Sequence, residues 1–352
     1  MKTGIVFGTF APMHQGHINL IQRAKKQCDK VVVVVSGYSG DRGDLIGLDV
    51  QRRFRYAREV FADDELVEVV KVVEDTIPKY PKGWSEWLKL LKQETKLSDL
   101  SECIFFVSES EYADTLKGLG YQVALSERKF GISATMIREN PLTHWNYIAF
   151  PFRRHFTKKV LILGSASNGK TTLTKDLGLF FNAPVSLEYA RKYQLENDVR
   201  DEELVPKDYF YLLLGQYDQT SKIIDGKYNN GLVIADTNSV VTKAYFDYYH
   251  PFASGVDVDA FEKLFESIVR KEDWDLILFV GPTGDYVDDG FRDMSMSSDD
   301  IRQDFSSKLK LLLAKTTFAN ISGNTNCNVV KLDGSYLENY EDSINAINKL
   351  LK

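Results

Sequence analysis

Cysteine is scarce in this chain of 352 residues: Cys28, Cys103 and Cys327 are odd in number and widely scattered. That excludes a disulfide framework and fits reduced thiols in a cytoplasm. A surplus of positive charge is lacking too. Lys and Arg total 44 against 50 Asp and Glu, a formal charge of −6, and no basic stretch is long enough to track a phosphate backbone, so nucleic acid is not an expected partner. No apolar run approaches the roughly 18 residues of a membrane span, and residues 1–7 enter a strand pattern without the charged-then-apolar segment of a signal peptide. Internal repeats and low-complexity tracts are missing as well. With 43% hydrophobic and 27% charged residues the chain is neither disordered nor fibrous, and at about 150 residues per domain its length fits roughly two domains.

Apolar β-branched runs recur at Ile5–Phe7, Val31–Val35, Val67–Val73 and Ile104–Val107, separated by stretches with helical spacing such as Ile18–Cys28 and Val50–Phe61. A second series follows at Lys159–Gly164, Pro184–Glu188, Gly231–Asp236, Leu276–Val280 and Asn328–Leu332. Strands alternating with helices imply a parallel α/β sheet in each half. The break is expected within residues 141–157, which carry two prolines and no clean period. This gives domains at 1–148 and 158–352 joined by a short connector at 149–157. The connector is too aromatic for a floppy linker and is expected to pack between the domains, limiting their relative motion.

Gly8-Thr9-Phe10-Ala-Pro-Met-His14-Gln-Gly-His17 follows the first strand and runs into a helix. In an open parallel sheet ligands bind at the carboxyl ends of strands, and the N-terminus of the next helix favours anions. Two imidazoles without a nearby Cys or acidic ligand do not complete a zinc site, so phosphate is the better fit. The pattern resembles the nucleotidyltransferase superfamily, which implies that Gly8, Thr9 and Phe10 border an ATP site and that His14 and His17 stabilise charge at the α-phosphate. Ile132-Ser133-Ala-Thr135-Met-Ile-Arg138 matches a second signature of that superfamily: Ser133 and Thr135 can hydrogen-bond the outer phosphates and Arg138 can neutralise them. Between these motifs, Glu74 to Trp87 puts Trp84 and Trp87 on a proline-rich loop with acidic residues, either as structural indoles or as a platform for a flat, cationic ring.

Gly164-Ser-Ala-Ser167-Asn168-Gly169-Lys170-Thr171-Thr172 satisfies the phosphate-loop pattern with a strand before it and a helix after it. Its amides cradle phosphates, Lys170 reaches the β and γ oxygens, and Thr171 ligates magnesium, which implies magnesium ATP or, less simply, GTP. A kinase must also position a hydroxyl. Glu188 ends the second strand and can accept a proton; Tyr189 and Arg191 beside it can hold a polar substrate. Asp236 ends the next strand and can hold magnesium, and either acid could be the base. Asp288-Asp-Gly-Phe-Arg292 with the polar stretch Asp293–Gln303 reads as a mobile lid whose arginine closes on the transferring phosphoryl. Most rings of Asp208–Gln219 and Ala244–Tyr249 are expected in the core. The fold class is therefore α/β, a Rossmann-like nucleotidyltransferase domain followed by a P-loop kinase domain, both with parallel sheets.

The order of these motifs, with Val73-Glu-Asp-Thr-Ile-Pro-Lys-Tyr-Pro-Lys-Gly-Trp-Ser-Glu-Trp, Glu188-Tyr-Ala-Arg and Val287-Asp-Asp-Gly-Phe-Arg, resembles the NadR-type bifunctional family over essentially the whole chain. The resemblance implies a nicotinamide mononucleotide (NMN) adenylyltransferase joined to a ribosylnicotinamide kinase: nicotinamide riboside plus ATP gives NMN, and NMN plus ATP gives NAD and pyrophosphate, in the cytoplasm. Its implied partners are those small molecules, with Mg2+ as cofactor, no membrane insertion, and a homo-oligomer left open. Three departures stand out. The chain starts at the first strand, so the repressor function of relatives with a helix-turn-helix is not expected. Asp236-Thr-Asn238 stands where Asp-Thr-Asp is expected, which puts kinase efficiency in question. Ala166 replaces a more polar loop residue, a minor change because backbone amides do most of the binding. The alternatives are a phosphopantetheine adenylyltransferase fused to a dephospho-coenzyme A kinase, or an adenylyltransferase with a non-catalytic, regulatory nucleotide-binding domain.

Overall fold

The computed structural model describes residues 2–127, 130–282, 285–319 and 327–352, in two compact units, Met1–Phe156 and Thr157–Lys352. The first holds five parallel strands, β1 (Thr3–Gly8), β2 (Lys30–Gly37), β3 (Val67–Val73), β4 (Ile104–Val107) and β5 (Gln122–Leu125), in the order β3-β2-β1-β4-β5. Valine at successive positions of β2 explains how the sheet is covered. Val31, Val33 and Val35 pack with Ile21, Ala24 and Phe106 on one face, while Val32 and Val34 pack with Trp87, Leu91 and Phe105 on the other. A run apolar on both faces suits a strand with helices on both sides. Chain order reverses between β1 and β4, and ligands of open α/β sheets bind outside the carboxyl ends at such a switch point. The edge strand β5 is only four residues long and exposed at both ends, so it left no apolar run to read.

The second unit repeats the plan with β6 (Lys158–Leu163), β7 (Val185–Ser186), β8 (Leu232–Asp236), β9 (Leu276–Val280) and β10 (Asn328–Leu332), all parallel, in the order β10-β9-β6-β8-β7. Leu161 and Leu163 of the central strand face one core, Val160 and Ile162 the other. Two sequence expectations change here. Residues 149–156 are built into the first unit, where Ile148, Ala149 and Phe152 share a core with Phe10 and Met13. Their apolar burial accounts for their composition. The polar stretch after Arg292 is largely helical: a turn at Met294–Ser297 leads into the helix Asp299–Ala319. Among the described residues no helix is long and apolar enough to cross a membrane.

Candidate functional site

β1 ends at Gly8, and the chain turns through residues 9–14 into the helix Gln15–Lys25. Phe10 makes this turn at φ 48°, uncommon for a residue other than glycine, with its buried ring edge-on to His17. His14 caps the helix: its Nδ1 accepts from the Gly16 amide at 3.1 Å, and Nδ1 of His17 accepts from the His14 amide at 3.2 Å. A backbone N–H on each Nδ1 places the proton of each neutral ring on Nε2. The rings stack 3.8 Å apart and both line a cleft of about 660 Å³. Two N–H donors therefore stand at a helix N-terminus, where negative charge is favoured.

The turn is anchored from behind. His14 bridges to Ile148, and the Ala149 amide donates to Met13 O at 3.0 Å. Arg53, fully buried, donates to Thr9 O at 2.7 Å and to the Asp41 carboxylate at 2.6 Å. Gly37 is required at this crossing, because a Cβ there would lie 2.3 Å from that carboxylate. Burial pushes the Asp41 carboxyl up, but the Asp44 amide and Arg53 outweigh it and hold it below its ordinary value. The braced loop presents Arg42, which donates to Thr9 Oγ1 at 3.0 Å and lines the cleft. Sequence reasoning missed Arg42; an arginine between Gly40 and Gly43, just past the carboxyl end of β2, was the available signal. The Asp41–Arg53 pair gave none, since its members lie in separate elements. Gly8, Thr9, Phe10, Ser133 and Thr135 all line the cleft, and Ser133 caps the helix Ala134–Glu139. Arg138 does not. Its guanidinium donates to Ala11 O at 2.7 Å and Thr135 Oγ1 at 2.9 Å, so it braces the two motifs against each other.

The same cleft also has aromatic and acidic residues in its wall. Trp84 and Trp87 lie on the first turn of the helix Trp84–Thr95, not on a loop. Trp87 is a core indole whose Nε1 donates to Ser36 Oγ at 2.8 Å, and Ser36 donates in turn to Glu74. Trp84 meets Phe7, Tyr112 and Trp87 edge-on, and its buried Nε1 has no partner among the described residues. Glu74 and Glu109 line the cleft, and burial raises the Glu74 carboxyl despite its bond from Ser36. The cleft wall thus combines cations and N–H donors with aromatic faces and carboxylates.

In the second unit, β6 leads into the loop Gly164–Gly169 and the helix Lys170–Phe181. Gly164 is forced by close approach: a Cβ would lie 2.5 Å from Val280 O. Lys170 Nζ donates to Ser165 O at 2.9 Å, and Thr171 Oγ1 donates to Asp236. Asp236 is fully buried, and its Oδ1 has no hydrogen-bond partner among the described residues. Burial pushes its carboxyl up to about 6, against the pull of Lys170. An orphaned carboxylate oxygen beside a threonine hydroxyl fits a magnesium ion that draws its other ligands from phosphates and water. No cluster of three or more His, Cys, Asp or Glu among the described residues could hold a metal alone.

A smaller cavity, about 140 Å³, opens beside this loop and is lined by Ser167 to Thr172, Glu188, Arg191, Asp201, Tyr245 and Arg292 among others. Arg191 lies 3.7 Å from Glu188, 3.9 Å from Asp201 and 3.4 Å from Asp289. Arg292 donates to Val287 O at 2.6 Å and reaches Ser167 Oγ at 3.4 Å. Arg302, which no motif announced, donates to Asn168 Oδ1 at 2.9 Å. Tyr189 does not line the cavity; its ring lies over Gly215, where a Cβ would come within 2.0 Å. Asn238 is also turned away. Its Oδ1 caps the helix Ser239–Tyr249 and its Nδ2 donates to Glu272 at 2.7 Å, so the missing charge at 238 is not missing from the phosphate site.

Fold and sites together define a class: a nucleotidyltransferase cleft and a P-loop phosphotransfer site carried on one chain. The cytidylyltransferase-like family matches residues 5–140, and the AAA domain matches residues 159–331. The chain belongs to the NadR family. It is 31% identical over 313 residues to the trifunctional NAD biosynthesis/regulator protein NadR of Salmonella typhimurium, covering 84% of this chain and 73% of that one, and 29% identical to the Escherichia coli protein of the same name, covering 88% and 76%. The crystal structure of a NadR protein in complex with NR superposes with a TM-score of 0.86 at 38% identity, covering 99% of this chain and 96% of that one. Another, in complex with NAD and AMP-PNP, gives 0.83 at the same identity and coverage. Phosphopantetheine adenylyltransferase of Clostridium botulinum matches 21% of this chain.

Proposed function

We propose that this chain makes NAD in two steps, phosphorylating nicotinamide riboside to the mononucleotide in the second unit and adenylylating the mononucleotide in the first. The mixed lining of the first cleft carries the reading. A pyridinium mononucleotide has a cationic aromatic ring and an anionic phosphate, and one cleft is lined both by Trp84, Glu74 and Glu109, which suit the ring, and by His14, His17 and Arg42, which suit the phosphate. A cationic ring gains most from tryptophan faces and nearby carboxylates. The mononucleotide phosphate oxygen attacks the α-phosphorus of ATP, the bond from that phosphorus to the bridging oxygen breaks, and pyrophosphate leaves. Nε2–H groups of His14 and His17 stabilise the charge that builds on the oxygens, while Gly8, Thr9, Phe10, Ser133 and Thr135 border the nucleotide.

In the second unit Ser167, Asn168, Gly169 and Thr172 flank the phosphates, and Lys170 and Arg292 neutralise them. Asp236 and Thr171 would hold magnesium, whose charge offsets that of the transferring phosphoryl. Glu188 is assigned as the base, because it lines the cavity whereas Asp236 is engaged with Thr171. It takes the proton of the ribose 5′-hydroxyl as that oxygen bonds to the γ-phosphorus and ADP leaves. Arg191 orients Glu188 and borders the substrate. Incubation with magnesium ATP and either nicotinamide riboside or the mononucleotide, with chromatography of the products, tests the reading. NAD from both supports it; NAD from the mononucleotide alone means a regulatory second unit; turnover of neither sends the assignment to phosphopantetheine, a reading weakened by its match to only 21% of the chain.

A further inference from the structure

Thr237 has a backbone conformation uncommon for its residue type. It is a β-branched residue at φ 81°, a conformation that costs on the order of 1–3 kcal/mol and persists only where the surroundings impose it. It lies between Asp236, against Thr171, and Asn238, and it lines the phosphate cavity. On its amino side Asp236 is fixed by the sheet, paired with Ile162 of β6, and the Thr237 amide donates to Ile162 O at 3.2 Å. On its carboxyl side the chain is held by Glu272, which comes from the segment before β9. One oxygen of Glu272 accepts from the Ser239 amide at 3.1 Å; the other accepts from Ser239 Oγ and Asn238 Nδ2, both at 2.7 Å. Asn238, only 2% exposed, spends its remaining oxygen on the Val240 amide at 3.2 Å.

We propose that Glu272 and Asn238 form a clamp that fixes Thr237 in its left-handed conformation and so sets the position of Asp236 at the phosphate site. Glu272 touches neither the phosphate loop nor the cavity; it is a positioning residue and acts through the strand end. The inference rests on the phosphotransfer reading of the second unit. The clamp also gives amide and carboxylate fixed places. The amide at 238 donates to the carboxylate at 272, so aspartate at 238 would face two acids together at a buried helix start. Burial already pushes the Glu272 carboxyl up to about 7, a sign of how little solvent shares its charge. The same start positions Thr242, Tyr245 and Tyr249, which line the cavity wall.

The test uses calorimetric binding of AMP-PNP with and without magnesium to the full chain, with the same titration of Lys170→Ala subtracted as the signal of the first cleft, so that the difference reports on the loop and Asp236 whatever the acceptor is. Glu272→Gln and Asn238→Asp should each reduce the magnesium-dependent gain in affinity by about tenfold, because the displaced carboxylate no longer meets the ion. Affinity without magnesium should move less than about twofold, since the backbone amides of the loop are untouched. The swapped pair, Asn238→Asp with Glu272→Gln, restores an amide facing a carboxylate and should recover most of the loss. The proposal fails if either single variant binds like the parent, if the swapped pair is no better than the worse single variant, or if magnesium adds nothing to the parent's affinity. Adenylylation by the first unit of the same chain shows whether a variant has lost more than this site. A parent that gains affinity from magnesium yet phosphorylates no nicotinamide riboside would sink the acceptor assignment and leave the clamp standing.

Discussion

The two phosphate sites on this chain are built in opposite ways. In the first unit the functional imidazoles are set by backbone: amide N–H groups fix both Nδ1 atoms, and the turn that carries them is tied to Ile148 and to the buried Arg53. In the second unit the functional side chains hold one another. Lys170 bonds its own loop, Thr171 bonds Asp236, and Arg292 bonds Val287 O and pairs with Asp289 at 3.3 Å. A phosphate reaching the first site meets imidazoles whose orientation the backbone has already fixed, whereas one reaching the second meets side chains that bond one another. Preorganised donors stabilise developing charge without reorganising at the moment of reaction.

The sharpest way to break this contrast is reciprocal mutation. Lys170→Ala should lower riboside phosphorylation by about 10³-fold and His17→Ala should lower adenylylation by about 10²- to 10³-fold, the range for loss of one charge-stabilising donor. Each should leave the other activity within a factor of about two, because the altered groups belong to different units, each with its own core. Steady-state assays of both reactions on both variants decide it. If His17→Ala also cuts phosphorylation tenfold, the sites are not independent.

A smaller effect sharpens the account of the first cleft. Trp84→Ala should raise the KM for the mononucleotide by about tenfold and leave the KM for ATP little changed, since a desolvated cation–π contact is worth roughly 1–2 kcal/mol. Trp84→Phe should lie between. Equal effects on both substrates would make Trp84 a packing residue, as Trp87 already is through its bond to Ser36.

What could be read from the sequence divides along the same line. His14, His17 and the loop Gly164–Thr172 were legible because each site is one contiguous segment between a strand and a helix, and the spacing itself is the geometry. The strands were legible because sheets covered on both faces need apolar runs. Residues that reach a site from elsewhere were not legible: Arg53 beneath Thr9, Arg302 on Asn168 and Glu272 under Asn238 join segments whose separation only the fold determines. Direction was also hidden. Arg138, Tyr189 and Asn238 sit where their motifs put them, but their side chains turn to Ala11 O, to Gly215 and to Glu272. Spacing fixes where a Cα stands, and packing decides where the side chain goes.

The smallest predicted effect concerns protons at Asp236. Its folded pKa of about 6 lies above the ordinary carboxylate value near 3.9. Between those values the folded chain therefore holds a proton that the unfolded chain has released. The stability this adds is complete below pH of about 4 and is lost as pH rises through about 6. Magnesium reverses the preference, because it binds the carboxylate and expels the proton. Binding of magnesium AMP-PNP should strengthen by about fourfold between roughly pH 5.5 and 7.5, the ratio of ionised fractions for a group titrating near 6. It should release fewer protons at the upper end. Calorimetry in two buffers of different ionisation enthalpy measures that release, and the same titration of Asp236→Asn subtracts the nucleotide's own protons. A slope unchanged in Asp236→Asn would remove Asp236 from the metal site and hand the contrast between the two units to Lys170 alone.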